Sequence, residues 1–474
     1  MLPALLATRT GVAGNAVEYG RGCASGKASG VALHSAPTEV ASPGVGVAGR
    51  TRMKPLLAFG TALLVLAGAR AAGAADGGAV SAAAVAADYA ADFQQFWATV
   101  DAHYAYFDNK AVDWRCVQVV YAPRAARARN DREFIRVLEE ALAELYDPHA
   151  VLNVNLASSA RLIPSQLDVW AEWRDGHAIV TQLRPGGGAA SAGLRPGMEV
   201  LAVNDVPIAE AVAGRRGRCM TRFDAARDDW ALLAVLAGTH DTPRAILVRS
   251  DGQEQLLHPD AVVAPEPVPP PVIARALTAD IGYIAINDLN SPATVPAFDA
   301  ALAQLRRTRG LLLDLRDTPA GGSTDVAEPI LGRFIRRSQP YQRFLPRDGQ
   351  PWERIVAPRG PWTYEAPVVV LVSRWTGSMG EGMAIGLDGM HRATVVGTRM
   401  AGLNGEVFSY HLAHVACDFS VPGAAIAHLD GTPREDFVPP VLVDFLQLPA
   451  AGEEDPILQA GRAALRRALA AGRR

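Results

Sequence analysis

Pro367-Val-Val-Val-Leu-Val-Ser-Arg-Trp-Thr-Gly-Ser378-Met-Gly-Glu-Gly-Met-Ala-Ile-Gly-Leu-Asp388 changes its periodicity halfway along. The run from Val368 to Val372 is apolar and mostly β-branched, the pattern of a strand buried on both faces, while residues 379–390 take a helical pattern. Ser378 stands between the two. It would open the helix, where unpaired backbone N–H groups and the positive end of the helix dipole favour developing negative charge. Gly377 and Gly380 let the chain turn sharply there and are expected to leave room for a substrate chain. Those are the needs of a nucleophilic serine, although a serine at this place also serves as an ordinary N-cap.

A second stretch upstream, Gly310-Leu-Leu-Leu-Asp-Leu-Arg-Asp-Thr-Pro-Ala-Gly-Gly322, reads as another buried strand ending in a glycine-rich loop. In a parallel sheet the two loops open on the same edge and face each other. Together the segments resemble the serine peptidases that include the C-terminal processing proteases and the core of the tricorn protease. The resemblance rests on Asp314-Leu315-Arg316, Pro319, Gly321-Gly322 and Ser378-Met379-Gly380-Glu381, and extends from about Phe93 onward. It implies Ser378 as nucleophile, with the N–H groups of Met379 and of Gly321 or Gly322 as the oxyanion hole.

Members of the Ser/Lys type carry a lysine base in a Gly-Lys-Gly context after the next strand, where this chain reads Gly402-Leu403-Asn404-Gly405. Leucine accepts no proton, and beyond the leader Lys110 is the only lysine. The base must therefore be another residue. Leu145-Tyr-Asp-Pro-His149-Ala-Val-Leu152 resembles the Leu-x-Asp-x-His-x-x-Leu of the tricorn-like branch, which implies His149 as general base. A neutral imidazole suits that task near pH 7, while the local reading is a histidine just past a helix end that Pro148 stops.

In the same branch a late glutamate supports the histidine through an intervening polar residue. Glu435 is the expected counterpart, with Asp436 in reserve, although both also fit a solvated turn. The residue before the histidine is Pro148, so a relay through a polar side chain there is broken or rerouted.

The 474 residues exceed one ordinary core and predict about three domains. A net charge of −3 gives no general attraction to nucleic acid or anionic membrane. Residues 1–52 are rich in Gly, Ala, Ser and Val without a period and read as an upstream extension preceding the true start at Met53. Residues 53–74 read as a signal peptide, with Lys54, an apolar run from Leu56 to Ala67, and Ala72-Gly73-Ala74 at the cleavage region. The apolar run is too short for a permanent span, so an exported periplasmic or extracellular product is expected. Cys116, Cys219 and Cys417 then remain, and at most one pair can form. His411, His414 and Cys417 are of metal-ligand type, but on strands residues three apart face opposite ways, and no metal or cofactor is expected.

Residues 75–160 form an N-terminal helical region, with Phe93, Phe96, Val100, Tyr104 and Phe107 at helical spacing. Residues 161–264 resemble a PDZ domain through Gly193-Leu-Arg-Pro-Gly197-Met-Glu-Val-Leu-Ala-Val-Asn204-Asp205. PDZ domains bind peptide ends by strand addition. Here the carboxylate-cradling loop, near residues 164–169, lacks its usual glycines and carries Asp168, so guiding or gating is expected rather than capture of free C-termini. A proline-rich linker, 265–271, leads to a catalytic core over 265–447, and 448–474 holds a C-terminal helix. The fold class is α/β: a crotonase-like ββα core with parallel strands, a PDZ-like β-rich domain and the N-terminal helices. The function implied is an exported serine endopeptidase acting on peptides or proteins. Its rivals are a ligand-binding protein on the same fold that has lost catalysis, and a regulatory PDZ module on an inert scaffold.

Overall fold

The computed structural model describes residues 82–261, 269–447 and 455–471. The leader, the upstream extension and residues 265–268 of the linker lie outside the described residues.

The apolar runs become the centre of a six-stranded sheet, in the order Val441–Leu442, Ala393–Gly397, Val368–Val372, Gly310–Asp314, Ile281–Ile286 and Val272–Ala276. All neighbours are parallel except the last pair. Because side chains alternate across a strand, Leu311, Leu313, Val368, Val370 and Val372 face one core while Leu312, Val369 and Leu371 face another. The helices Thr294–Gln304, Thr324–Leu331 and Met379–Gly389 cover the first face, and Pro456–Ala471 covers the second. Asp455 caps that last helix, accepting from the Ile457 and Leu458 N–H groups. The helix Thr324–Leu331 ends at Gly332, where the chain presses against the Ala357 carbonyl and a Cβ would stand 2.5 Å away.

The N-terminal helices Ala82–His103, Trp114–Ala125 and Asp131–Ala143 pack through Phe93, Phe96, Phe134 and Leu138 into a separate core. Phe419 and Val421 of the strand Asp418–Ala427 complete that core. The short strand Val151–Leu152 pairs antiparallel with the same strand, placing Leu152 opposite Phe419. By this pairing the segment after the third helix is fixed to the C-terminal half of the chain.

Residues 169–257 contain a third, antiparallel sheet ordered Val169–Arg174, His177–Leu183, Glu199–Val203, Ile246–Ser250 and Gln253–Leu257, against which the helix Ala225–Ala237 packs. Arg244 and the Ala189 N–H bind Asp168, so its carboxylate is engaged inside this unit. A disulfide joins Cys116 to Cys219, and Cys417 is a buried free thiol. His411 pairs with Asp418 and His414 with Asp92, so those histidines and Cys417 have separate surroundings.

Candidate active site

Ser378 adopts φ +49° and ψ −110°, outside the regions open to an L residue without strain. Several contacts hold it there. The Glu381 carboxylate accepts the Ser378 N–H at 2.7 Å, the side-chain half of a capping box. Gly377 N–H donates to the Thr318 carbonyl, and Thr318 N–H to the Trp375 carbonyl, stitching the serine loop to the loop after Gly310–Asp314. The flanking glycines have a different reason from the expected one. A Cβ on Gly380 would stand 2.2 Å from Thr318 Oγ1, and one on Gly377 2.8 Å from the Pro319 carbonyl oxygen. The space beside them is filled by the chain's own neighbouring loop, not left open for substrate.

Gly321 lies directly against the serine. At φ +66°, a Cβ there would come within 2.4 Å of Ser378 Cβ and 3.3 Å of the Met379 nitrogen. Its N–H donates to the Thr318 carbonyl at 3.0 Å and closes the loop. The Gly322 N–H has no acceptor among the described residues, which favours it over Gly321 as a donor to an oxyanion. Met379 opens its helix, where the first N–H groups have no intrahelical acceptor.

His149 is half-buried in the turn between Asp131–Ala143 and Val151–Leu152. Its Nδ1 is 2.5 Å from the Asn404 carbonyl oxygen. A carbonyl only accepts, so Nδ1 carries the proton and Nε2 keeps its lone pair. Burial, and then the nearby Arg434 guanidinium, hold the imidazole below its ordinary range, so the ring is neutral at pH 7. Asp147 organises the turn: its buried carboxylate accepts the His149 N–H, the Tyr104 hydroxyl and the Asn404 side-chain amide at 2.9, 2.7 and 2.8 Å.

The segment lacking the family lysine joins the two halves. Glu381 accepts the Gly402 and Leu403 N–H groups as well as that of Ser378, and the next residue, Asn404, holds His149. Burial pushes the Glu381 carboxyl up to about 7 against the pull of Arg434 and these N–H groups. Arg434 fastens the far side, donating to the carbonyls of Leu403 and Gly405. Among the described residues no hydrogen bond joins Ser378 Oγ to His149.

Glu435 is the expected support of the histidine. It lies in the turn Arg434–Asp436, its Oε2 is enclosed without a hydrogen-bond partner, and burial raises its pKa. The Asn404 carbonyl faces Nδ1 of His149, and among the described residues no hydrogen bond joins Glu435 to the ring. Asp436, the reserve, is exposed. Sequence reasoning missed Asn404 because its recognition is by a backbone carbonyl, which no side-chain pattern encodes. Asp147 lies within the Leu145–Leu152 segment, whose resemblance implies a role only for His149.

The sequence profile described as Peptidase family S41 matches residues 280–430, and that of the Tricorn protease C1 domain matches residues 85–143. A carboxyl-terminal-processing protease of Synechocystis sp. is 24% identical over 328 residues, covering 65% of this chain and 70% of that one. The structure of mature CPAF superposes with a TM-score of 0.54 at 15% identity, over 81% of this chain and 97% of that chain. Mature CPAF complexed with lactacystin gives 0.53 at 16%, over 81% and 98%. At such identities the structural likeness is one of fold.

Proposed function

The chain belongs to peptidase family S41 and is a serine-type peptidase; on that premise we propose that it is an exported endopeptidase in which His149 activates Ser378. The observation that carries the assignment is the chain of contacts from Ser378 through Glu381 and residues 402–404 to His149. Nε2 of His149 takes the Ser378 hydroxyl proton as Oγ attacks the scissile carbonyl. The oxyanion is received by Met379 N–H and the Gly321–Gly322 loop, with Gly322 the preferred donor, each donor contributing roughly 3 kcal/mol. The protonated ring then gives its proton to the leaving amine, and water, deprotonated by the same nitrogen, releases the acyl group. The mechanism requires Nε2 of His149 to stand within hydrogen-bond reach of Ser378 Oγ in the substrate complex. Asn404 orients the ring and Asp147 fixes its turn, roles in which they replace Glu435.

Residues 161–264 are read as a PDZ-like domain and 265–447 as a crotonase-like core, with 75–160 as the helical region that delivers the base. The PDZ-like unit abuts the catalytic loops: Arg184 pairs with Asp317, Ser165 Oγ donates to the Pro319 carbonyl, and Trp375 Nε1 donates to the Leu167 carbonyl. These contacts support a guiding or gating role. The Cys116–Cys219 disulfide supports export to an oxidising compartment. Among the described residues no helix is long and apolar enough to cross a membrane.

The deciding experiment is fluorophosphonate labelling of the purified protein begun at Met53. Labelling of wild type that is lost in both Ser378→Ala and His149→Ala supports the assignment. Unlabelled, folded wild type, or full labelling of His149→Ala, overturns it.

A further inference from the structure

A cavity of about 320 Å³ lies between the third N-terminal helix, the segment after His149 and the helix Ala225–Ala237. Leu142, Leu152, Val154, Leu162, Ile163 and Trp230 make it mainly apolar, and Pro148 and Ala150, the neighbours of His149, form part of its wall. Its volume falls at the lower end of the range of small-ligand sites.

Two cations of this wall, the exposed Arg136 and the half-buried Arg215, form no ion pair among the described residues. Arg215, just beyond the helix Ile208–Ala213, lines it without an ion pair or a side-chain hydrogen bond among the described residues. The carboxylates that share the wall are engaged elsewhere. Glu139 takes the Ser159 hydroxyl, Glu140 pairs with Arg124, and Asp147 accepts its three donors. Arg161 is matched by Asp260, and Arg136 is an exposed residue at the margin. Burial alone pushes the Arg215 guanidinium below its ordinary range, with no carboxylate offsetting it. A desolvated cation is costly to leave unpaired, and a planar guanidinium matches a carboxylate in a bidentate fork.

We propose that this cavity is a binding site for a small apolar monocarboxylate, whose carboxylate pairs with Arg215 while its apolar group packs on Trp230 and Leu162. The C-terminal residue of a peptide and a short fatty acid both present that chemistry. The site is separate from Ser378, and its existence does not depend on Ser378 being a nucleophile. Because Pro148 and Ala150 line it, a bound ligand touches the turn that carries His149.

Calorimetric titration of the full chain with N-acetyl-leucine, N-acetyl-leucinamide and decanoate tests this. Arg215→Met, Arg215→Lys and the marginal Arg136→Met are titrated in parallel, with thermal melts to verify folding. A carboxylate is expected to bind at least about tenfold more tightly than the amide. That preference disappears in Arg215→Met, is partly kept in Arg215→Lys and is unchanged in Arg136→Met. Tighter binding of N-acetyl-leucine identifies a peptide end as the source, and tighter binding of decanoate a fatty acid. Equal binding of acid and amide, undiminished binding to folded Arg215→Met, or no binding of either acid overturns the proposal. Fluorophosphonate labelling of the same preparations reports separately on Ser378.

Discussion

The two halves of the proposed catalytic site are built by opposite means. The serine half is local: Ser378, Met379 and Glu381 lie within four residues of one another, and one neighbouring loop, 316–322, completes it. The histidine half is assembled from distant segments, with His149 held by Asn404, Asp147 by Tyr104, and the following strand by Phe419 and Ser420. A nucleophile can therefore be formed by a short motif, whereas its base depends on the packing of nearly the whole chain. Damage to the first half should remove chemistry and leave the fold. Damage to the second should misplace a base that is still present.

The largest effects test the first half. Ser378→Ala is expected to lower kcat/KM by about 10⁴-fold or more while the denaturation midpoint stays near wild type. Ser378→Gly should be equally inactive but more stable, by about 1 kcal/mol, since glycine adopts a positive φ without strain. A destabilised Ser378→Gly would show that the serine conformation is not strained.

Next comes the covalent tie on the histidine side. Replacing Cys116 and Cys219 by serine should cost about 2–5 kcal/mol in a urea titration, because the bridge closes a sequence separation of 103 residues. An unchanged midpoint would remove the disulfide from the account of how the base is supported.

Asn404→Ala leaves the carbonyl that holds His149 but removes the amide bound to Asp147. A drop in kcat of roughly 10–100-fold is expected, with KM little changed, as for a base displaced by a fraction of an ångström. Glu435→Gln should alter kcat/KM by no more than about threefold, and a hundredfold loss would restore the glutamate to the catalytic group.

The pH profile separates the halves in a single measurement. His149 must be neutral to act, and burial lowers its pKa, so its acid limb is expected below the ordinary 6.5. Glu381 titrates near 7, and protonation weakens the acceptor that holds Ser378, Gly402 and Leu403. A limb near 7 that vanishes in Glu381→Gln, leaving the lower one, assigns each to its group. The Glu381 carboxyl is raised above its usual 4.5, so the fold binds this proton more tightly than the unfolded chain does. Its contribution to stability is therefore present below about 4.5 and is lost as pH rises toward and through 7.

The contrast also explains what could be read from the sequence. The runs Val368–Val372 and Gly310–Asp314 announced buried strands, because a β-branched apolar run has few other places to go, while their direct parallel pairing is seen only in the fold. Ser378 followed from the break in period. His149 was found through a resemblance, since nothing local separates a base from a histidine after a helix. Asn404 was invisible because it acts through its backbone carbonyl, and a carboxylate in the region of Glu435 says nothing about which atom faces Nδ1. The substrate-space reading of Gly377 and Gly380 failed for a related reason: the neighbour that demands glycine is another loop of the same chain.

The pairing of Val151–Leu152 with Ser420 and Phe419 has a consequence for biosynthesis. A ribosome emits this chain from its N-terminus, and the histidine turn emerges long before its partner strand and before Asn404. Until those later residues arrive, the imidazole has neither its carbonyl anchor nor the strand that positions it. With His149 as the proposed base, the nascent peptidase is latent by chain order alone, and becomes competent to cut only when most of its own sequence is already protected by folding.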